Sequence, residues 1–296
     1  MTWLVVGVNG QLGKALSAVL SERGIDYRGS GFVNLDITSA LMTTEYIRDL
    51  APSVVINAAA WTDVDGAESD EVGAHSVNAV GALNLAVAAK AAGAIFVHLS
   101  TDYVFSGVSD HPWREDDLRS PVSVYGITKA AGEVAVLGTY AEHSYIFRTA
   151  WLYSKWGKNF AKTMTRLALS GEGVVRVVDD QVGQPTSALD LANQIVDAVD
   201  AKLPFGIYHA TNSGQASWFE FAQEIYGICG VSVEHVEATD SSRFVRPAKR
   251  PAYSVLGQDA WKAVGSGGTS VHQMRDWRLA LRDEMPAIIS AVKTEG

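Results

Sequence analysis

The sequence predicts an α/β fold: a doubly wound parallel sheet with a smaller, irregular C-terminal α/β domain. Three observations predict it. Strand-like and helix-like runs alternate regularly over residues 1–150, the pattern of parallel strands joined by right-handed crossovers. A glycine-rich turn, Gly7-Val8-Asn9-Gly10-Gln11-Leu12-Gly13, joins the first strand to the first helix. Beyond residue 150 the alternation loosens. We therefore expect a dinucleotide-binding domain over 1–150, with segments from about 180–230 returning to it, and a mainly substrate-binding domain over 151–296.

The elements follow in order. Trp3-Leu4-Val5-Val6 is a buried-type strand, and Ala15, Leu16, Val19 and Leu20 have helical spacing after it. The glycines between them suit a Rossmann-type turn. Gly7 permits the tight bend, Gly10 lets backbone approach a pyrophosphate, and Gly13 lets helix and strand pack closely. The amides of Gln11 and Leu12 would then face the phosphates. A second short strand ends in Arg28-Gly29-Ser30, where a site specific for NAD usually has an acid. Arg28 and Ser30 suit a 2′-phosphate, which favours NADPH, with NADH also usable. Asp36 and Ile37 are placed to flank an adenine ring. A helix is expected over 39–50, ended by Pro52. The strand Val54-Val55-Ile56-Asn57 ends in Ala58-Ala59-Ala60, small enough for a cofactor to lie on the backbone. Asn78 falls near the start of the helix carrying Leu83, Leu85 and Val87. A further strand, Ala94 to Leu99, leads into Ser100-Thr101-Asp102-Tyr103-Val104-Phe105. Ligands of such sheets bind beyond the C-terminal strand ends, so a hydroxyl at Ser100 or Thr101 is well placed to meet a substrate oxygen.

Tyr125 and Lys129 stand four residues apart at the start of a helix-like run, hence on one face. An ammonium beside a phenol favours the phenolate, so the pair is expected to exchange a proton near neutral pH. The strand Tyr145 to Arg148 follows, ending in Thr149-Ala150-Trp151. In the second half, Asn159-Phe160 opens an amphipathic helix, and Asp180-Gln181-Val182-Gly183-Gln184-Pro185-Thr186 is a loop. Ser217 and Glu220 have capping-box spacing, and Arg243, Arg246, Lys249 and Arg250 cluster around two prolines. Leu256, Trp261, Met274, Trp277, Leu281 and Ile288 show helix-like spacing.

Composition narrows the function classes. Of 296 residues, 47% are hydrophobic and 19% charged, as in soluble globular proteins. The net charge of −9 disfavours sequence-independent binding to nucleic acid or an anionic membrane, although a local basic pocket can still hold an anionic substrate. Cys229 is the only cysteine, which excludes an internal disulfide and a cysteine-held metal cluster and suits the cytoplasm. No secretory pattern opens the chain. Lys90 breaks the Ala-rich run over 82–97, short of the roughly 20 residues of a membrane span.

Taken together, the three glycines, the Ser100–Phe105 strand end and Tyr125-x-x-x-Lys129 resemble the extended short-chain dehydrogenase/reductase family. The likeness is greatest to its reductases of dTDP-4-dehydrorhamnose and related dTDP-4-keto-6-deoxysugars. It covers nearly the whole chain and includes Asn57–Ala60, Val64-Asp65-x-Ala67-Glu68, Phe147–Trp151, the Asp180–Thr186 loop and Arg250-Pro251. The resemblance implies hydride transfer from NADPH to the C4 keto carbon of a dTDP-sugar. Tyr125 would protonate the forming alkoxide, Lys129 would hold the nicotinamide ribose and lower the tyrosine pKa, and Thr101 would hydrogen-bond the reacting oxygen. Asp102, Tyr103, Val104, Trp151 and Gln181 would line the sugar side, and Asn78 would support the cofactor and proton relay. Arg250 is our candidate for gripping the substrate diphosphate.

In one respect the chain departs from the pattern. Some members hold magnesium at a dimer interface through glutamates; Ala15 and Leu189 occupy those regions here, so no metal is expected. A monomer and a homodimer both stay open. So does a non-catalytic nucleotide-binding regulator resembling the methionine adenosyltransferase β subunit.

Overall fold

The computed structural model describes residues 2–171, 173–266 and 271–295. Strands β1 (Trp3–Val6), β2 (Tyr27–Ser30), β3 (Val54–Asn57), β4 (Ile95–Thr101) and β5 (Ser144–Thr149) join the strand Gly206–His209 in one sheet. The order is Gly206–His209, β5, β4, β3, β1, β2, and every pairing is parallel. This is a Rossmann-type doubly wound sheet. The connection reverses direction between β1 and β3, so a crevice opens beyond their C-terminal ends.

Because side chains alternate along a strand, each one feeds both faces. Val5, Ile56, Val97 and Phe147 face the helices Gln11–Glu22 and Ala188–Asp200. Leu4, Val6, Val55, Phe96 and Ile146 face the layer of helices Ala40–Leu50, Gly81–Ala92 and Val124–Tyr140. Burial on both faces explains why β1 and β3 read as unbroken apolar runs.

A second core joins the helices Phe160–Ser170, Trp218–Ile228 and Trp277–Glu295 through Met164, Phe221, Ile225, Trp277, Leu281 and Ile288. Among the described residues, only two-stranded pairs accompany it, among them Val182–Gly183 antiparallel to Ala216–Ser217. The described residues after Gly257 contribute to both cores. Trp261, on the helix Asp259–Ser266, packs into the first, and Trp277 into the second. Leu256 and Met274 are in no helix; Leu256 joins a small cluster with Val104 and Phe105, and Met274 packs into the first core.

Among the described residues one helical run, Glu71–Ala92, is long and apolar enough to cross a membrane by length and composition. The sequence reading broke the apolar stretch at Lys90. Here the run consists of an α-turn, a π-helical segment (Ser76–Val80) and the helix Gly81–Ala92. Half of it is buried inside the protein, where Leu85, Ala86 and Ala89 form part of the core.

Candidate active site

A cleft of about 940 Å³ lies over the C-terminal ends of the central strands. Its floor is set by glycine. Gly7 has φ +83, and a Cβ there would come within 2.6 Å of the Ala59 amide nitrogen. A Cβ on Gly13 would stand 2.2 Å from the Gly7 carbonyl oxygen, so Gly13 serves close packing and does not itself line the cleft. Gly10 caps the helix Gln11–Glu22 with no side-chain hydrogen bond. The first-turn amides of Gln11 and Leu12, both lining residues, therefore open onto the cleft without a capping partner, a ready anion site. A dinucleotide diphosphate fits this cradle. Asp36, further along the cleft, already accepts from the Thr38 amide and hydroxyl.

The helix Val124–Tyr140 carries the reactive pair. Ser123 caps it by accepting from the Gly126 amide at 3.2 Å. Gly126 lets the helix start press on the Tyr103 carbonyl, 2.3 Å from where a Cβ would stand. Tyr125 and Lys129 then project into the cleft beside Thr101, Asp102 and Tyr103. The Tyr103 and Tyr125 rings meet edge to face, 5.5 Å between centroids. Thr101 donates to Asp102 Oδ1 at 2.9 Å and accepts from the Tyr103 amide at 3.2 Å.

Burial dominates the electrostatics. It pushes Tyr125 up to about 12, with the adjacent Thr101 hydroxyl pulling the other way. Lys129 is pushed down to about 8 by burial, opposed by the Glu133 carboxylate. The expectation that Lys129 lowers the tyrosine pKa is corrected in this state. Lys129 Nζ donates to the Leu99 carbonyl at 2.6 Å, and its charge is not among the influences on Tyr125. Asp102 is raised to about 6, by burial first, with the Ser254 and Thr101 hydroxyls restraining the rise.

Gly7, Gly10, Gln11, Leu12, Asp36, Ile37, Ala58, Ala59, Ala60, Thr101, Asp102, Tyr103, Tyr125, Lys129 and Trp151 all line the cleft, as their expected roles require. Six expected contacts do not, Ser30 among them, buried at the end of β2. Arg28 lies outside the lining, exposed on the edge strand β2. Val104 is fully buried in the cluster with Phe105 and Leu256, because the 3-10 turn Asp102–Val104 turns it away from its two predecessors. Gln181 donates to Ser241 Oγ at 2.7 Å. Arg250 pairs with Asp65 at 2.9 Å and donates to the Ala248 carbonyl. Asn78 is buried; it exchanges hydrogen bonds with the Trp61 backbone and donates to Thr128 Oγ1 at 3.0 Å, holding the site's wall without reaching the cleft.

Residues 1–288 match the family described as RmlD substrate binding domain. The chain belongs to the RmlD family. It is 45% identical to a dTDP-4-dehydrorhamnose reductase of Streptomyces griseus, over 97% of this chain and 93% of that one. It is 41% identical to a probable dTDP-4,6-dihydroxy-2-methyloxan-3-one 4-ketoreductase of Streptomyces antibioticus, over 98% and 97%. A solved dTDP-4-dehydrorhamnose reductase of Bacillus anthracis str. Ames, in complex with NADP, superposes with a TM-score of 0.91 at 35% identity, covering 96% of this chain and 98% of that one.

Behind the cleft this RmlD chain holds a charged network that the sequence reading missed. Glu133, one turn after Lys129, receives two hydrogen bonds from Arg148, at 2.9 and 2.8 Å, and one from Arg119 at 3.1 Å. It also accepts from Ser100, the neighbour of Thr101. Arg148 reaches on to the Glu115 carbonyl and to His209, whose pKa burial and Arg148 push down to about 3. The available signal was Glu133 at helical spacing from Lys129 on a buried face. Lys158 was missed too; it lines the cleft, and its neighbour Asn159 donates to Gln11 Oε1 at 2.9 Å.

Proposed function

We propose that this protein reduces the C4 keto group of dTDP-4-dehydrorhamnose to give dTDP-L-rhamnose, using NADPH, with NADH as a weaker substitute. The observation carrying this reading is convergence. Thr101, Tyr125 and Lys129 meet in the cleft that also contains the open helix start at Gln11 and Leu12. The names of the relatives from S. griseus and B. anthracis support the substrate, and the NADP in the latter's title supports the cofactor.

In this mechanism Gly7, Gly10 and the amides of Gln11 and Leu12 hold the cofactor diphosphate, with Ala58–Ala60 as a flat floor. The bound nicotinamide supplies the hydride. Tyr125, protonated at neutral pH with its pKa at about 12, gives its proton to the oxygen of the reduced carbon. Thr101 turns its hydroxyl proton from Asp102, to which it donates here, toward that oxygen as charge develops on it. Lys129 turns from the Leu99 carbonyl toward the cofactor ribose. Asp102, Tyr103 and Trp151 line the sugar side, while Asn78 and Glu133 position the residues that react.

NADPH oxidation by the purified protein with dTDP-4-dehydrorhamnose tests the reading; cofactor binding without turnover would sink it and favour a regulator. Tyr125→Phe should lower kcat by about 10²–10⁴-fold while NADPH affinity stays near normal. Normal turnover would remove Tyr125 from the acid role.

A second reading changes only the sugar. The S. antibioticus relative is named for a different dTDP-linked ketone at similar identity, so product analysis on a panel of dTDP-4-keto-6-deoxysugars decides between them. We place the enzyme in the cytoplasm, as a monomer or homodimer without nucleic-acid or membrane partners, on its charge of −9 and lone cysteine. Assembly should be indifferent to EDTA, because the buried apolar Ala15 and the apolar Leu189 offer no ligand for magnesium.

A further inference from the structure

The Asp180–Thr186 motif places no side chain among the cleft-lining residues, yet it frames one wall of the cleft. Asp180 accepts from the Ser241 amide and hydroxyl. Gln184 exchanges two hydrogen bonds with the Leu256 backbone, and the Thr186 amide donates to the Trp151 carbonyl at 3.2 Å. At its centre Gly183 pairs with Ala216, just before Ser217 caps the helix that begins at Trp218.

That ladder puts two groups against one indole. A Cβ on Gly183 would stand 2.5 Å from Trp151 Cε2 and 2.8 Å from its Nε1. Trp218 stacks on the same ring, 3.5 Å between centroids and 8° from parallel, and Phe160 backs Trp218 at 4.6 Å. Trp151 has φ 45, a left-handed backbone that a bulky residue holds only when its surroundings impose it. Both indoles line the cleft, and Trp151 follows Thr149, the register partner of Thr101.

We propose that Gly183 and Trp218 clamp the Trp151 indole between them, and that the stacked pair is the rigid apolar wall that receives the C–H-rich face of the 6-deoxysugar. The inference rests on the proposed function. Gly183 acts through Trp151 and is a positioning residue. Trp218 supports the ring and extends the wall. An aromatic wall favours a face of C–H groups and a methyl because it offers a hydroxyl few partners.

Steady-state kinetics with the dTDP-4-keto-6-deoxysugar, titration calorimetry with dTDP-L-rhamnose, and NADPH affinity test it on Gly183→Ala, Trp218→Ala and Trp218→Phe. We expect KM and the dTDP-L-rhamnose Kd to rise at least about tenfold in the two alanine variants, with NADPH affinity unchanged within about twofold. Trp218→Phe, which keeps a stacking ring, should recover most of the loss. Should Gly183→Ala fail to fold, the Trp218 pair decides alone. Wild-type turnover with unchanged KM in Trp218→Ala overturns the clamp, as does an equal loss of NADPH affinity or no recovery in Trp218→Phe. A wild-type protein that neither binds dTDP-L-rhamnose nor turns over a dTDP-ketosugar overturns the functional reading itself, and the wall loses its ligand with it.

Discussion

Lys129 sets the upper pH limit of the site. Burial brings its pKa down to about 8, and only the Glu133 carboxylate opposes the fall. The reductive rate should therefore decline as pH rises through about 8, where the ammonium is lost; a kcat–pH profile flat to pH 10 would contradict this. The linked effect on stability has the opposite sign. A lysine whose pKa is lowered on folding favours the native state above its unfolded value near 10.5 and withdraws that support as pH falls through about 8. Glu133 has a second duty. It is fully buried and neutralises Arg148, itself 1% exposed. Glu133→Gln leaves that guanidinium buried with much of its compensation gone, so chemical denaturation should show a loss of about 3–5 kcal/mol. The Arg119 contact, 29% exposed on its own side, should matter far less.

Among the elements, the βα turn and the helix starts were legible because their chemistry is local. Gly13 answers to a backbone clash within the turn and Gly7 to one with Ala58 and Ala59 at the end of the adjoining strand, while a Cβ on Gly10 would stand an ordinary 3.4 Å from the Gly7 carbonyl. Ser217 and Glu220 form the full reciprocal capping box that their spacing promised. Ser217→Ala should cost about 1 kcal/mol in unfolding free energy. Gly13→Ala, which drives a methyl into the Gly7 carbonyl, should abolish NADPH binding, read by fluorescence titration; binding within threefold of normal would show that the turn can yield. Gln181, Arg250 and Asn78 were misplaced because the direction of each depends on a non-local partner, and Val104 because of a local turn. Asp102 and Tyr103 face the cleft but Val104 does not, because one 3-10 turn overrides strand alternation. Gln181 and Arg250 carry the right chemistry for a phosphate or sugar, but Ser241 and Asp65 already hold them. Those partners are 60 and 185 residues away in sequence, beyond the reach of any spacing rule. The Glu133 network was hidden for the same reason, its cations arriving from β5 and from the loop before Ser123.

At the scale of the molecule, residues 1–150 supply five strands of the sheet, and later segments complete it. Its last strand is Gly206–His209, one flanking helix is Ala188–Asp200, and Trp261 plugs the same core from still later in the chain. The fragment 1–150 should therefore not fold to a native state. It would leave the β5 edge unpaired and the outer face of Leu16 and Val19 uncovered. Loss of near-ultraviolet circular dichroism with dye-binding apolar surface is the expected signature, and a sharp melting transition in the fragment would refute it.

The same lacing limits how new specificities can be grafted onto this scaffold. Exchanging everything after residue 150 for the counterpart of a relative would import a strand, a helix and a tryptophan into a core shaped for others. A productive chimera would instead transplant the interrupted pieces that face the sugar, around Trp151, Gly183 and Trp218, and leave the threads between them in place. The fold behaves as a woven fabric, in which pattern can be changed patch by patch but no half can be unpicked from the other.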